Sequence, residues 1–111
     1  MPNPTSTSKT LNDAADLIEE YGWIQGSRGN PAVGFCAVGA IAYTLTGDSK
    51  PVDLPPAFWH ACRFMEEWLK TNGHSCRLMI IPWNDTGGRT ASEVVDGLRA
   101  AARSARHRDV V

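Results

Sequence analysis

The residue best suited to nucleophilic chemistry is Cys36, which lies at the predicted start of a helix. A thiol at a helix N-terminus gains from the amide dipoles, which lower its pKa and favour the thiolate. Such a nucleophile needs a base, for which His60 and His74 are candidates, with Asn84 or Asp85 to orient the imidazole. The alternative is a small buried apolar cysteine, and we favour it because no signature of a known thiol enzyme accompanies Cys36.

The cysteine spacing argues against a metal centre. The chain has three cysteines, Cys36, Cys62 and Cys76, and no two of them form a Cys-x-x-Cys pair. We therefore expect neither a metal nor a cofactor. An odd number of cysteines, in a chain whose first residues lack the apolar run of a secretory signal, predicts reduced thiols and a cytoplasmic location.

A second polar group is the tripeptide Trp83-Asn84-Asp85. Side chains on a loop between rigid elements often carry function, which makes this a candidate docking or catalytic loop. The structural alternative, which we favour, is that Trp83 fills the core while the two polar residues hydrogen-bond nearby amides and shape a turn. Downstream, Thr90 and Glu93 have the spacing of a capping box that begins the last helix.

Basic residues line one face of that last helix. Arg99, Arg103 and Arg106 are three or four residues apart, and such a stripe could bind phosphates or an acidic partner. The alternatives are a solvated face near a helix C-terminus and pairing with the acidic first helix. The net charge of −1, from 11 basic and 12 acidic residues, argues against a protein that mainly coats nucleic acid.

The aromatic candidate for partner binding is Trp59. In the predicted helix it lies about 100° around the axis from Phe58, which places it at the edge of the apolar face near Arg63. Exposed tryptophan and arginine are preferred anchors at protein interfaces. The alternative is that Trp59 fills the volume of a small core.

Length and composition restrict the architecture. A chain of 111 residues supports one domain, and 42% hydrophobic with 21% charged residues is typical of a globular protein. No apolar run approaches the roughly 18 residues of a membrane span, so we expect no contact with a membrane. We predict residues 1–8 to be a flexible leader, 9–106 the globular domain and 107–111 a tail.

Helical periodicity dominates the hydrophobic pattern. Apolar residues at 3.6-residue spacing predict helices over 9–21, 35–45 and 57–71, with a fourth after the capping box, in a compact bundle. Small residues at Gly39 and Ala40 predict that another helix or strand approaches closely there. Short apolar stretches at Trp23–Gln25 and Leu78–Ile81 could pair as strands, so the alternative to a mostly α fold is α+β.

Several stretches together resemble a family of short, uncharacterised proteins of actinobacteria and their phages, known only as a domain of unknown function. The resemblance covers most of residues 11–105, but not the middle helix with Trp59 and His60. It implies a small cytosolic protein of phage or mobile-element type and implies no activity. The matching stretches are 14–18, 22–26, 35–41 with a Cys-x-x-Gly-Ala element, 82–85 with Trp-Asn-Asp, 88–90 and 93–95.

The sequence therefore favours a non-enzymatic binding protein, an adaptor or inhibitor of a host or phage protein. The expected contacts are Trp59 and Arg63 of the middle helix, with Arg99 and Arg103 of the last helix. The alternatives are a thiol enzyme that uses Cys36 and a weak nucleic-acid binder that uses the last helix.

Overall fold

Helices make up most of the chain in the computed structural model, which describes residues 6–73 and 79–109, with side chains up to residue 106. The described helices are α1 (Thr7–Tyr21), α2 (Ala37–Thr46), α3 (Pro56–Thr71), α4 (Ile80–Asn84) and α5 (Ala91–Asp109). Between α1 and α2, β1 (Gly29–Asn30) and β2 (Gly34–Phe35) pair antiparallel. The prediction of a mostly α fold with a small β element is confirmed.

Helix α1 begins two residues before its predicted start and so extends into the predicted leader. The cause is Ser6, whose hydroxyl oxygen accepts a hydrogen bond from the Lys9 N–H at 3.2 Å. At the other end Gly22 closes the helix, and its N–H donates to the Ile18 carbonyl at 2.8 Å.

The capping box at the start of α5 forms as the sequence predicts. The Glu93 N–H donates to the Thr90 hydroxyl at 3.2 Å, and the Thr90 N–H donates to the Glu93 carboxylate at 2.9 Å. Since both partners lie within one turn, this helix start is determined locally.

The strand pairing of Trp23–Gln25 with Leu78–Ile81, which the sequence left open, does not form among the described residues. Ile80 and Ile81 belong to α4, and Leu78 lies outside the described residues. Pro82 follows in the first turn of α4, where a helix tolerates proline because that turn needs no N–H donor. Trp23 instead forms a single parallel bridge with Phe35 of β2.

The core lies around α1, which packs against α2, α3 and α5, most extensively against α5. Both partners in that contact bury small side chains, which permits close approach of the two helices. The completely buried side chains include Leu11, Ala14, Ala15, Ile41, Ala61, Met65, Leu69, Val94, Leu98, Ala101 and Ala102.

Helix α2 meets the preceding loop at Gly39. A Cβ atom at this position would lie 2.0 Å from the carbonyl oxygen of Arg28, so only glycine fits. The close approach that the small residues predict is therefore present, although the approaching element is a loop and not a helix or strand.

We predict that Gly39→Ala lowers the free energy of unfolding by about 2–4 kcal/mol, although alanine is the better helix former. The reason is that backbone atoms, not a flexible side chain, occupy the space of the new methyl group. Urea denaturation measures the change. The control is Gly87→Ala, where no atom lies within 4 Å of an added Cβ and the expected change is within about 0.5 kcal/mol. Equal stability of the two variants would contradict the prediction.

Candidate functional site

Asn84, at the end of α4, is completely buried and joins segments that are far apart in the sequence. Its Oδ1 accepts hydrogen bonds from Trp23 Nε1 at 2.7 Å and from the Ala37 N–H at 3.0 Å. Its Nδ2 donates to the Ile24 carbonyl at 3.1 Å and to the Asp85 carboxylate at 2.9 Å. The amide group thus uses both its donors and both its acceptor lone pairs.

Further bonds join the segment after α1 to the turn after α4. Gln25 Nε2 donates to the carbonyl oxygens of Asn84 and Thr86, each at 3.0 Å. The Gly26 N–H donates to the Asp85 carboxylate at 3.1 Å. Asn84 and Asp85 therefore hydrogen-bond backbone groups, as a structural role requires, but their partners lie in distant segments and not in nearby amides.

Trp83 attaches α4 to α5. Its side chain is buried, and Gly97 of α5 leaves the space for it, since a Cβ there would lie 3.0 Å from the indole ring. The Arg89 guanidinium carbon stands 5.1 Å from the ring centroid, and Arg89 Nε donates to the Trp83 carbonyl at 3.0 Å. Helix α4 is thereby held by α5, through the packing of the Trp83 ring at Gly97, and by Arg89, which contacts both the ring and the carbonyl of Trp83.

An apolar groove lies between α3 and α4, with a cavity of about 290 Å³. Three large apolar side chains at this groove are exposed to solvent: Trp59 by 58%, Met79 by 60% and Ile81 by 45%. The lining residues are Arg28, Val38, Phe58, Trp59, Cys62, Glu66, Met79, Ile80, Ile81 and Pro82.

Of the predicted partner-binding residues on α3, Trp59 lines this groove and Arg63 is exposed on the same helix but does not line the groove. The ring of Trp59 packs edge-on against Phe58, with 4.9 Å between centroids. This contact with a buried neighbour fixes the exposed indole at the groove.

The arginine stripe of α5 is divided between two surfaces. Arg99 forms salt bridges with Asp16 at 2.7 Å and with Glu19, both on α1. This is the pairing with the acidic first helix that the sequence left as an alternative. Arg103 is exposed and lines a separate cavity of about 490 Å³ beside Trp68.

Cys36 caps α2 and is buried, with 4% of its surface exposed. Its Sγ accepts a hydrogen bond from the Gly39 N–H at 3.3 Å. Burial raises the pKa of the Cys36 thiol, and amide hydrogen bonds offset this rise only in part. Of its candidate bases, His60 is exposed on α3 and His74 lies outside the described residues. Asp85 lies close enough to raise the pKa of Cys36 further.

Cys62 lies at the groove and is also buried. Burial, with the nearby negative charge of Glu66, raises the pKa of this thiol to about 12, while the positive charge of Arg28 opposes the rise. Neither described thiol is therefore a thiolate at neutral pH.

Within residues 6–73 and 79–109, the structure contains no group of three or more His, Cys, Asp or Glu side chains that could hold a metal ion. In the same ranges, no helix has the length and apolar character that crossing a membrane requires.

Sequence reasoning missed the groove itself, and with it Met79 and Ile81. From the sequence, their apolar run is interpreted as a candidate strand. On a helix of five residues, successive side chains point about 100° apart, so the run cannot face the core throughout. Among the described residues of the run, Ile80 is buried, whereas Met79 and Ile81 are exposed. The proline that follows the run was the available signal for a helix start.

A protein-family model described as a family of unknown function, DUF6197, matches residues 2–104. No curated protein and no solved structure matches the chain.

We predict that Asn84→Ala lowers the free energy of unfolding by about 3 kcal/mol, because it leaves buried donors on Trp23 and Ala37 without their acceptor. Thermal and urea denaturation measure this. The control Asn72→Ala removes one side-chain bond, to the Trp68 carbonyl, at an exposed helix end and should cost less than about 1 kcal/mol. A cost for Asn84→Ala no larger than that of the control would contradict the role of this amide.

We also predict that Cys36 and Cys62 resist iodoacetamide at pH 7.5 in the folded protein and react fully in urea. The reason is that burial excludes the reagent and raises both pKa values, so the thiolate fraction stays small at this pH. Mass spectrometry of a Cys76→Ser variant measures the labelling of these two thiols alone. Rapid stoichiometric labelling of folded Cys36 would instead support the thiol-enzyme hypothesis.

Proposed function

We propose that this chain, which belongs to the DUF6197 family of unknown function, is a non-enzymatic protein-binding protein that acts as an adaptor or inhibitor. The observation that carries the proposal is the groove between α3 and α4, where Trp59, Met79 and Ile81 are exposed together. Contiguous exposed apolar groups on a small protein are typical of interaction surfaces.

The energetics of the groove favour a macromolecular partner. Complete burial of a large apolar side chain contributes about 1.5–3 kcal/mol relative to exposure, and three such side chains are 45–60% exposed here. Tryptophan is also among the residues most often found at the energetic centre of an interface.

The groove is formed before any partner binds. One of its walls is α4, which Asn84 attaches to the body of the protein through hydrogen bonds with Trp23 and Ala37, and Trp83 through its buried ring. The other wall is α3, whose Met65 and Leu69 are completely buried in the core. A rigid binding surface loses little conformational entropy on association, which improves affinity for a given contact area.

The two alternative functions have less support. A thiol enzyme would need Cys36 as a thiolate, yet burial raises its pKa and the hydrogen bond it accepts is the structural bond of a helix cap. A nucleic-acid binder would need a basic α5, yet Arg99 is neutralised by two acidic residues of α1. Arg63 and Arg103 stay available as polar contacts around a protein interface.

For the biological setting, we propose the cytoplasm of an actinobacterial cell, where a phage or mobile-element protein would act on a host or phage protein. The support is the resemblance of the stretches with Cys-x-x-Gly-Ala and Trp-Asn-Asp to proteins of that origin. In the fold these two stretches meet, since Asn84 accepts the Ala37 N–H. The middle helix with Trp59, which the sequence resemblance leaves out, lies within residues 2–104 that the family model matches.

We predict that Trp59→Ala weakens binding of the partner by at least about thirtyfold, which corresponds to about 2 kcal/mol at an interface centre. Affinity purification from an actinobacterial lysate identifies the partner, and calorimetry measures its affinity for each variant. The matched control is Val52→Ala, because Val52 is completely exposed and does not line the groove.

Unfolding free energies of both variants should stay within about 0.5 kcal/mol of the parent chain, since both residues are on the surface. A stoichiometric partner that binds Trp59→Ala and the parent chain equally well would contradict the proposal.

A further inference from the structure

Two oppositely charged side chains lie at the apolar groove between α3 and α4. Arg28, from the loop before β1, and Glu66, from α3, both line it, and both are partly buried. Each acts electrostatically on the thiol of Cys62, Glu66 raising its pKa and Arg28 lowering it. Both charges therefore lie near Cys62 in the lining of the groove.

The backbone of Arg28 is fixed by its contacts with α2, but among the described residues its guanidinium uses only part of its hydrogen-bonding capacity. Its carbonyl oxygen accepts the Cys36 N–H at 3.3 Å and faces Gly39, which fixes its backbone against α2. Within the described residues its guanidinium makes one hydrogen bond, from Nη1 to the Ser49 carbonyl at 3.3 Å. A guanidinium carries several further N–H donors and matches a carboxylate in a bidentate geometry.

Glu66 also forms no salt bridge within the part of the chain that the structure describes. It lies one helical turn beyond Cys62 on the same face of α3. Arg28 and Glu66 do not form a salt bridge with each other, so the charged atoms of the two side chains lie more than 4.0 Å apart. A partly buried charge without a counter-charge is costly, and a ligand of opposite charge relieves that cost.

We infer that the groove takes a linear segment of a partner protein in which an apolar side chain lies between an acidic and a basic residue. This inference rests on the proposed binding function and specifies its partner. The apolar side chain packs on Trp59, Phe58 and Ile81, the acidic group pairs with Arg28, and the basic group pairs with Glu66.

The arrangement determines the orientation of the bound segment as well as its composition. An apolar groove alone accepts a hydrophobic segment in either direction. Opposite charges at two separate positions in its lining favour one direction, because the reverse direction brings like charges together. The apolar contacts therefore supply most of the affinity, and the charges supply specificity.

Selection from a library of random twelve-residue peptides on the immobilised protein tests the inference. Peptides that bind the parent chain but not Trp59→Ala should be enriched in an apolar residue flanked by Asp or Glu on one side and Lys or Arg on the other. The same selection is then repeated on Arg28→Gln, on Glu66→Gln and on the control Glu67→Gln, whose parent side chain is exposed and does not line the groove.

The expected result is that Arg28→Gln loses the acidic preference alone and Glu66→Gln loses the basic preference alone. An enriched peptide, synthesised and titrated, should bind each of these variants about five- to tenfold more weakly than the parent chain, and the Glu67→Gln variant equally well. Circular dichroism checks that every variant is folded.

Two other results separate the possible failures. Peptides that need Trp59 but show no charge preference, or a preference that neither substitution changes, overturn this inference and leave the binding groove intact. A selection in which no peptide depends on Trp59 overturns the proposed binding function, and this inference with it.

Discussion

The structure depends on the burial of one primary amide. A buried polar group is tolerated only when its hydrogen bonds are satisfied, and the Asn84 side chain satisfies all four of its positions, three of them with groups from distant segments. These partners come from the segment after α1, from the start of α2 and from Asp85. Because the amide fixes their relative positions together, the short β elements and the ends of three helices are arranged around a single residue.

The exposure of the apolar residues on α4 follows from the buried hydrogen bonds of Asn84. A helix of five residues has no stability of its own, so α4 exists because the rest of the molecule holds it. With Ile80, Trp83 and Asn84 directed inward, the residues between and before them face solvent. The exposed Met79 and Ile81 are thus a geometric consequence of how α4 is anchored, and the groove against α3 follows from it.

Charged side chains are paired between α1 and α5, but at the groove between α3 and α4 they lack counter-charges within the part of the chain that the structure describes. Between α1 and α5, the guanidinium of Arg99 forms salt bridges with two carboxylates, which neutralise its charge. Beside the groove, Arg28 and Glu66 have no such partners among the described residues. The contrast distinguishes a contact that holds helices together from a surface where, under the proposed function, a partner would supply the missing opposite charges.

The sequence by itself determined what depends on near neighbours. Helical periodicity, the glycine after α1 and the Thr90–Glu93 capping box all act within a few residues, so four helices and most of their ends are predictable. The exposed position of Trp59 is predictable too, since its place at the edge of an apolar face follows from helix geometry. Tertiary structure decided the rest: which distant groups Asn84 binds, that Arg99 pairs with α1, that α4 is a helix, and that Arg28 reaches the groove. Each of these depends on contacts between residues that are far apart in the chain, and local pattern carries no information about which distant groups will meet.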